Sequence, residues 1–232
     1  MAGMGNQTSR KPVIVVTGTL REAAVLRKNN VTVIAGGSDP EGLFLKLEAA
    51  ARDCAGIISF GMAGGIDHKL PLGAVIIGKR LTGTFHTKCD ERWVKALHSL
   101  LPGSRMGSVH CDGKLLSDVR DKYDMAWASA ALCADMESHI AAEVAAHANV
   151  PFAILRCISD VAQLQLPPAV DVAMGPEGQV AMGAVMRSII DEPGQIPALA
   201  NTVYGFAKAY RVLIRTAKRA GDRLAFDLRE GG

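Results

Sequence analysis

Three observations predict an α/β fold for this chain of 232 residues. Short, almost wholly apolar runs, VIVV at 13–16 and FAILRCI at 152–158, have the composition of strands covered on both faces. Helix-length segments stand between such runs, the order expected of helices packed on a sheet. Gly, Pro, Asn and Asp punctuate the boundaries.

Composition narrows the class. The chain is 49% hydrophobic and 21% charged, ordinary for a soluble globular protein. A net charge of +3, with no basic-aromatic run, argues against a nucleic-acid partner. Cys54, Cys89, Cys111, Cys133 and Cys157 show no CxxC spacing and fit a reducing cytoplasm. No apolar run approaches a membrane span. The start, MAGMGNQTSRK, lacks the apolar core of a signal sequence. Residues 1–11 read as a loose tail and 12–232 as one domain, without linker or repeat.

Val13–Val16 reads as a buried strand, Thr17-Gly18-Thr19 as a turn, and Leu20 to about Lys28 as a helix. A strand, small turn and helix N-terminus can hold an anion. Arg21 and Glu22 at that start are either site residues or solvated helix charges. Val31–Ala35 is a second strand; Gly36-Gly37-Ser38-Asp39-Pro40 turns into a helix capped by Ser38 or Asp39. Ile57–Phe60 enters GMAGGID, where Gly64 and Gly65 permit close backbone approach to a ligand. Asp90–Leu101 is a helix with Trp93, Val94, Leu97 and Leu101 on one face, and Met106–His110 a short strand. His110 reads as packed, and the six histidines show no ligand spacing, so no metal site is expected.

The stretch 132–160, LCADMESHIAAEVAAHANVPFAILRCISD, reads as a strand end, a helix after Asp135, and a second strand. Asn149 and Pro151 end the helix. Ser159 and Asp160 fall at the carboxyl end of the second strand, where α/β sheets bind ligands, and Glu137 falls at the same edge. Converging carboxylates suit a sugar-linked substrate: one holds hydroxyls while the other protonates a leaving group. By spacing alone, the plainer reading leads: Asp160 as a turn residue and Glu137 as a helix N-terminal acid. Beyond a loop around Pro167-Pro168 and the GPEGQV turn, helices are expected at about Val180–Ile190 and Ile196–Ala220.

DMES, an alanine-rich helix and VPFAILRCISD together resemble the signature of the nucleoside phosphorylase and nucleosidase superfamily. The resemblance implies a three-layer α/β/α fold with a mixed central sheet. It implies that Met136 packs beneath a ribose, that Glu137 holds its hydroxyls, and that Asp160, oriented by Ser159, acts at purine N7. Gly64 and Gly65 match the family's glycine-rich loop, and Leu115 falls in the loop that packs on the purine. Gly18, Thr19 and Arg21 are the implied phosphate ligands, with Glu22 as base or ribose contact. Hydrolytic relatives carry an acidic run here whose last acid falls nearest Ala23, and phosphorylase members carry Arg and Ser where Ser59 and Met62 stand. Phosphorolysis with inorganic phosphate as co-substrate is the implied reaction, with hydrolysis the alternative; no other cofactor is expected.

DMESHIAAEVAA, ISDVAQLQLPPA, GPEGQV and PGQIPAL before a basic final helix resemble one branch, the hopanoid-biosynthesis-associated phosphorylases of bacteria. That implies adenine release from adenosylhopane, leaving ribosyl- or phosphoribosyl-hopane. The alternatives are a general purine nucleoside phosphorylase or methylthioadenosine/adenosylhomocysteine nucleosidase, and a non-catalytic nucleoside-binding protein. The family implies a homo-oligomer. Lys208, Arg211, Arg215 and Lys218 share one face of the last helix. A cytoplasmic enzyme touching the inner membrane through that face is the corresponding expectation.

Overall fold

The computed structural model describes residues 10–173, 175 and 178–230. Most of the expected tail (1–9), Met174, Pro176 and Glu177 around the GPEGQV turn, and Gly231 and Gly232 lie outside the described residues. The chain runs β1 (Val13–Thr17), α1 (Leu20–Val25), β2 (Thr32–Ala35), α2 (Pro40–Ala51), β3 (Gly56–Gly65), β4 (Val75–Gly83) and β5 (Thr87–Lys88). It continues through α3 (Glu91–Leu100), β6 (Arg105–Cys111), α4 (Val119–Ser129), β7 (Ala131–Asp135), α5 (Ser138–His147) and β8 (Phe152–Asp160). Helices α6 (Pro168–Asp171), α7 (Met182–Asp191) and α8 (Ile196–Ala220) complete it.

The sheet is mixed, as expected. β2, β1 and β3 pair in parallel. β8 runs parallel to β3 and antiparallel to β4. β4 pairs in parallel with β6, and β6 with β7. A bulge at Ala63/Gly64 then turns the end of β3 onto β7 in antiparallel register. Strands β3, β8, β4, β6 and β7 therefore close a ring, with β1, β2 and β5 outside it. Closure leaves β8 without a free edge, and every one of its residues is buried. The main core is the apolar set of β1, β3, β4 and β8 with the inner faces of α2, α3, α5 and α8.

Local chemistry explains most boundaries. Asp39 caps α2 through the Gly42 amide at 2.9 Å, with Pro40 at the first helical position. Asn149, just past α5, takes a positive φ of 52°. α1 is shorter than its sequence suggests: from Leu26 the amides reach back only three residues, to Ala23 and then from Asn29 to Leu26. α5 begins at Ser138, after Asp135 as expected, and the Asp135 carboxylate accepts the Glu137 and Ser138 amides. α4, the two-residue β5 and the one-turn α6, which stands where a loop was expected around Pro167-Pro168, are additions to the sequence reading. α8 packs on β8 through Ala209, Leu213 and Ala217, and a Cβ at Gly205 would collide with the Ser159 carbonyl. That glycine lets the last helix lie against the end of β8.

Candidate active site

The strand ends gather a cleft with a cavity volume of about 160 Å³. Gly18, Thr19 and Glu22 come from the β1–α1 turn, and Met62 to Gly65 from the end of β3. Asp135, Met136 and Glu137 come from β7–α5, and Ser159 and Asp160 from β8. Lys114, Leu115 and Leu116 of the loop after β6 line it too, with Ile66, Lys122, Leu166 and Phe206.

Two buried electrostatic groups divide the floor. The first surrounds Arg156, a fully buried arginine in the middle of β8. Its Nε lies 3.1 Å from Asp135 Oδ2 and its Nη2 3.9 Å from Glu137 Oε2. Nη2 also donates to Ser59 Oγ at 2.5 Å and Ser138 Oγ at 3.1 Å. Burial works against the Arg156 cation, and Asp135, Glu137 and Glu22 outweigh it, so the guanidinium stays charged. Asp135 accepts the Glu137 and Ser138 amides at 3.0 and 2.8 Å, fixing the start of α5. It also accepts the Ser138 hydroxyl at 2.6 Å.

Glu137 makes no side-chain hydrogen bond at the cap of α5. Burial pushes its carboxyl up to about 8; Arg156 opposes this, while Asp135 and Glu22 add to it. Near neutral pH it is therefore mostly a neutral acid. Gly18 lies against it, since a Cβ there would stand 2.9 Å from Glu137 Oε1. Glu22 completes the group. Its Oε2 accepts the Thr19 amide at 2.9 Å and hydroxyl at 3.0 Å, while Oε1 accepts the Met62 amide at 2.6 Å.

The second group is Asp160 with Lys122 of α4. Lys122 Nζ donates to Asp160 Oδ2 at 2.6 Å, and Ser159 Oγ stands 3.0 Å from Asp160 Oδ1. The β3 bulge brings Gly64 alongside, where a Cβ would be 3.3 Å from Oδ2.

Met136, Glu137, Ser159, Asp160, Gly64, Gly65, Leu115, Glu22, Gly18 and Thr19 thus line one cleft. Arg21 does not. It is exposed, with its guanidinium over the Tyr210 ring at 4.6 Å and its carbonyl accepting the Tyr210 hydroxyl. With Thr19's amide already given to Glu22, the expected phosphate ligands form no common cradle. Ala23 is likewise absent from the lining; the acid of α1 that faces the cleft is Glu22. Ser59 is buried on Arg156 instead of lining the cleft. His110 is buried, without a hydrogen-bond partner for either ring nitrogen among the described residues. His139 stands beside Cys111 Sγ at 3.0 Å, outside the lining.

Sequence reasoning passed over Arg156, Lys122, Asp135 and Phe206. The signal for Arg156 was there: a charge in the middle of a run otherwise suited to full burial has to be paired. Among the described residues no group of three or more His, Cys, Asp or Glu is arranged to hold a metal ion.

Fold and cleft define an α/β protein with carboxylates converging at the ends of a closed mixed sheet. The chain belongs to the phosphorylase superfamily, whose model matches residues 4–191, well over half of it. No curated protein matches it in sequence. Among solved structures it is similar to the 5′-methylthioadenosine/S-adenosyl homocysteine nucleosidase of Helicobacter pylori. That likeness has a TM-score of 0.66 at 11% identity and covers 90% of this chain and 96% of that one. The S-adenosylhomocysteine nucleosidase of Streptococcus pyogenes gives 0.58 at 16% identity, over 87% and 98%. The futalosine hydrolase of H. pylori gives 0.59 at 14%, over 78% and 98%. These likenesses establish the shared fold.

Proposed function

We propose that this protein cleaves the N-glycosidic bond of an adenosine-containing substrate, with water as the acceptor. The observation that carries the reading is the meeting of Glu22, Glu137 and Asp160 in one cleft of a phosphorylase-superfamily chain. As the bond to the purine breaks, the ribose carbon gains positive charge. Carboxyl groups at the Arg156 end favour that cation. Glu137 holds the ribose hydroxyls, Met136 packs beneath the sugar, and Asp160 protonates the leaving base. Glu22, fixed on two backbone amides, takes the proton of the attacking water.

Three acids around one arginine make a poor seat for a phosphate dianion, which supports hydrolysis over the phosphorolysis expected from sequence. Product mass with and without inorganic phosphate tests this. A phosphoribosyl product would overturn hydrolysis, and a product mass independent of phosphate would support it.

The substrate we infer is adenosylhopane. Support comes from the branch resemblance and from the apolar part of the lining, Leu115, Leu116, Leu166 and Phe206. A small-nucleoside specificity is the second reading, favoured by the fold shared with the nucleosidases above. Adenine release from adenosylhopane, adenosine and methylthioadenosine, assayed side by side, separates them; preference for the small nucleosides would remove the lipid assignment. A non-catalytic nucleoside-binding protein would release adenine from none.

We further infer a homo-oligomer, to be checked by sedimentation, and reversible membrane contact through α8. Lys208, Arg211, Arg215 and Lys218 are all exposed on it, and no helix among the described residues is long and apolar enough to cross a membrane. Flotation with anionic liposomes at low salt should be lost when these four become Gln; equal flotation of both proteins would refute the contact.

A further inference from the structure

Lys122 is the buried residue of α4, with 1% of its surface exposed. An ammonium taken out of water costs several kcal/mol unless it is paired and its donors satisfied. Lys122 has three N–H donors, and three acceptors surround them: Asp160 Oδ2 at 2.6 Å, the Leu164 carbonyl at 2.9 Å and the Val161 carbonyl at 3.4 Å. The lysine lines the same cleft as Asp160. An ionised carboxylate only accepts hydrogen bonds, so a relay through Asp160 has to be loaded from another group. Ser159 donates a neutral hydroxyl, shared between Asp160 and the Ala63 carbonyl. Glu22, Asp135, Glu137 and Arg156 form the separate group at the other end, and Lys114 stands exposed at the lining.

We propose that Lys122 is a positioning residue that supplies the proton Asp160 passes to the leaving purine. The inference rests on the reading of Asp160 given above. One Nζ–H bond of Lys122 breaks and its proton loads the Asp160 carboxylate, leaving a neutral amine. As the glycosidic bond breaks, its electron pair goes to the base, which takes that proton from Asp160 and leaves it a carboxylate again. The attacking water gives its proton to Glu22, Glu22 returns it to solvent, and solvent reprotonates Lys122 once the base has left. Water is the only co-reactant.

The test uses full-length wild type, Lys122→Arg and Lys122→Met, with kcat and KM measured against pH. One substrate is whichever of adenosine, methylthioadenosine and adenosylhopane the wild type cleaves fastest. The other is 4-nitrophenyl riboside, whose leaving group needs no proton. Lys122→Arg keeps the charge on Asp160 but cannot release a proton. It should lose on the order of 100-fold in kcat on the purine substrate and stay near wild type on the nitrophenyl riboside. Lys122→Met should behave alike if folded. Wild-type turnover of the purine substrate by Lys122→Arg would overturn the proposal, as would equal losses on both substrates, the mark of a purely structural lysine. Should wild type cleave neither substrate, the reading of Asp160 falls and the proposal with it.

Discussion

Replacing Glu137 by Gln should make the ligand-free protein more stable and less active. The carboxyl titrates near 8 in the folded chain, against an ordinary value of 4.5. Below pH 4.5 it is protonated folded or unfolded and contributes nothing. As pH rises through 4.5 the unfolded chain ionises this group while the buried one keeps its proton. Stability therefore falls by about 1.4 kcal/mol per pH unit until the folded group also ionises near pH 8. At pH 7 the accumulated penalty is about 3 kcal/mol. Gln keeps the shape and cannot ionise, so it removes that penalty. The loss of a partner 3.9 Å from Arg156 offsets part of the gain, while Asp135 stays at 3.1 Å. A net gain of about 1–3 kcal/mol at pH 7 raises Tm by roughly 3–10 °C in a chain of this size. Thermal unfolding followed by circular dichroism at pH 5, 6, 7 and 8 should show a difference that widens with pH. Turnover should drop by about 100-fold or more. A Tm difference that does not change with pH, or a variant less stable than wild type at pH 8, would refute the reasoning.

Gly64→Ala puts a methyl 3.3 Å from Asp160 Oδ2; kcat should fall roughly 10-fold or more through misplacement of that carboxylate, with urea unfolding little changed. Asp160→Asn should abolish adenine release and destabilise by about 3–5 kcal/mol in urea unfolding, because Lys122 loses its ion partner. Adding Lys122→Met to it should recover part of that loss. All five cysteines are buried, and desolvation pushes the Cys89 and Cys157 thiols up to about 12. A thiol reagent at pH 8 should modify these two in unfolded but not in native protein.

The parts legible in the sequence are those that obey a repeat or a cap. VIVV and FAILRCI announce buried strands, and Asp39-Pro40 and Asn149-Val150-Pro151 announce helix ends. The helix 196–220 matches its expected bounds, with a buried face of small and apolar residues from Thr202 to Ala220. α4 escaped because its buried residue is Lys122 while Tyr123 and Trp127 stand exposed, so it carries no apolar stripe. The ring closure was illegible because it depends on a bulge between Ala63 and Gly64, and nothing local fixes which strand the end of β3 will join. The carboxylates were readable from their strand-end positions. Lys122 carried no such signal, and the burial of Arg156 showed only that it must be paired; pairing across 38 residues of chain, or among β3, β7 and β8, has no sequence spacing. Arg21 and Glu22 show the limit from the other side: adjacent helix charges leave the helix in different directions, one to Tyr210 and one to the cleft.

Glu22 holds the first turn of α1 through Thr19 and the end of β3 through the Met62 amide, with one carboxylate. A group so shared cannot change charge privately. When it takes a proton it becomes a weaker acceptor for both amides, and the helix start loosens together with the strand end. Leu20, next in line, gives its amide to the Gly178 carbonyl, and Gly178 packs on the Gly18–Leu20 backbone. Gly178 is thus tied, through Leu20, to the same helix start that Glu22 holds.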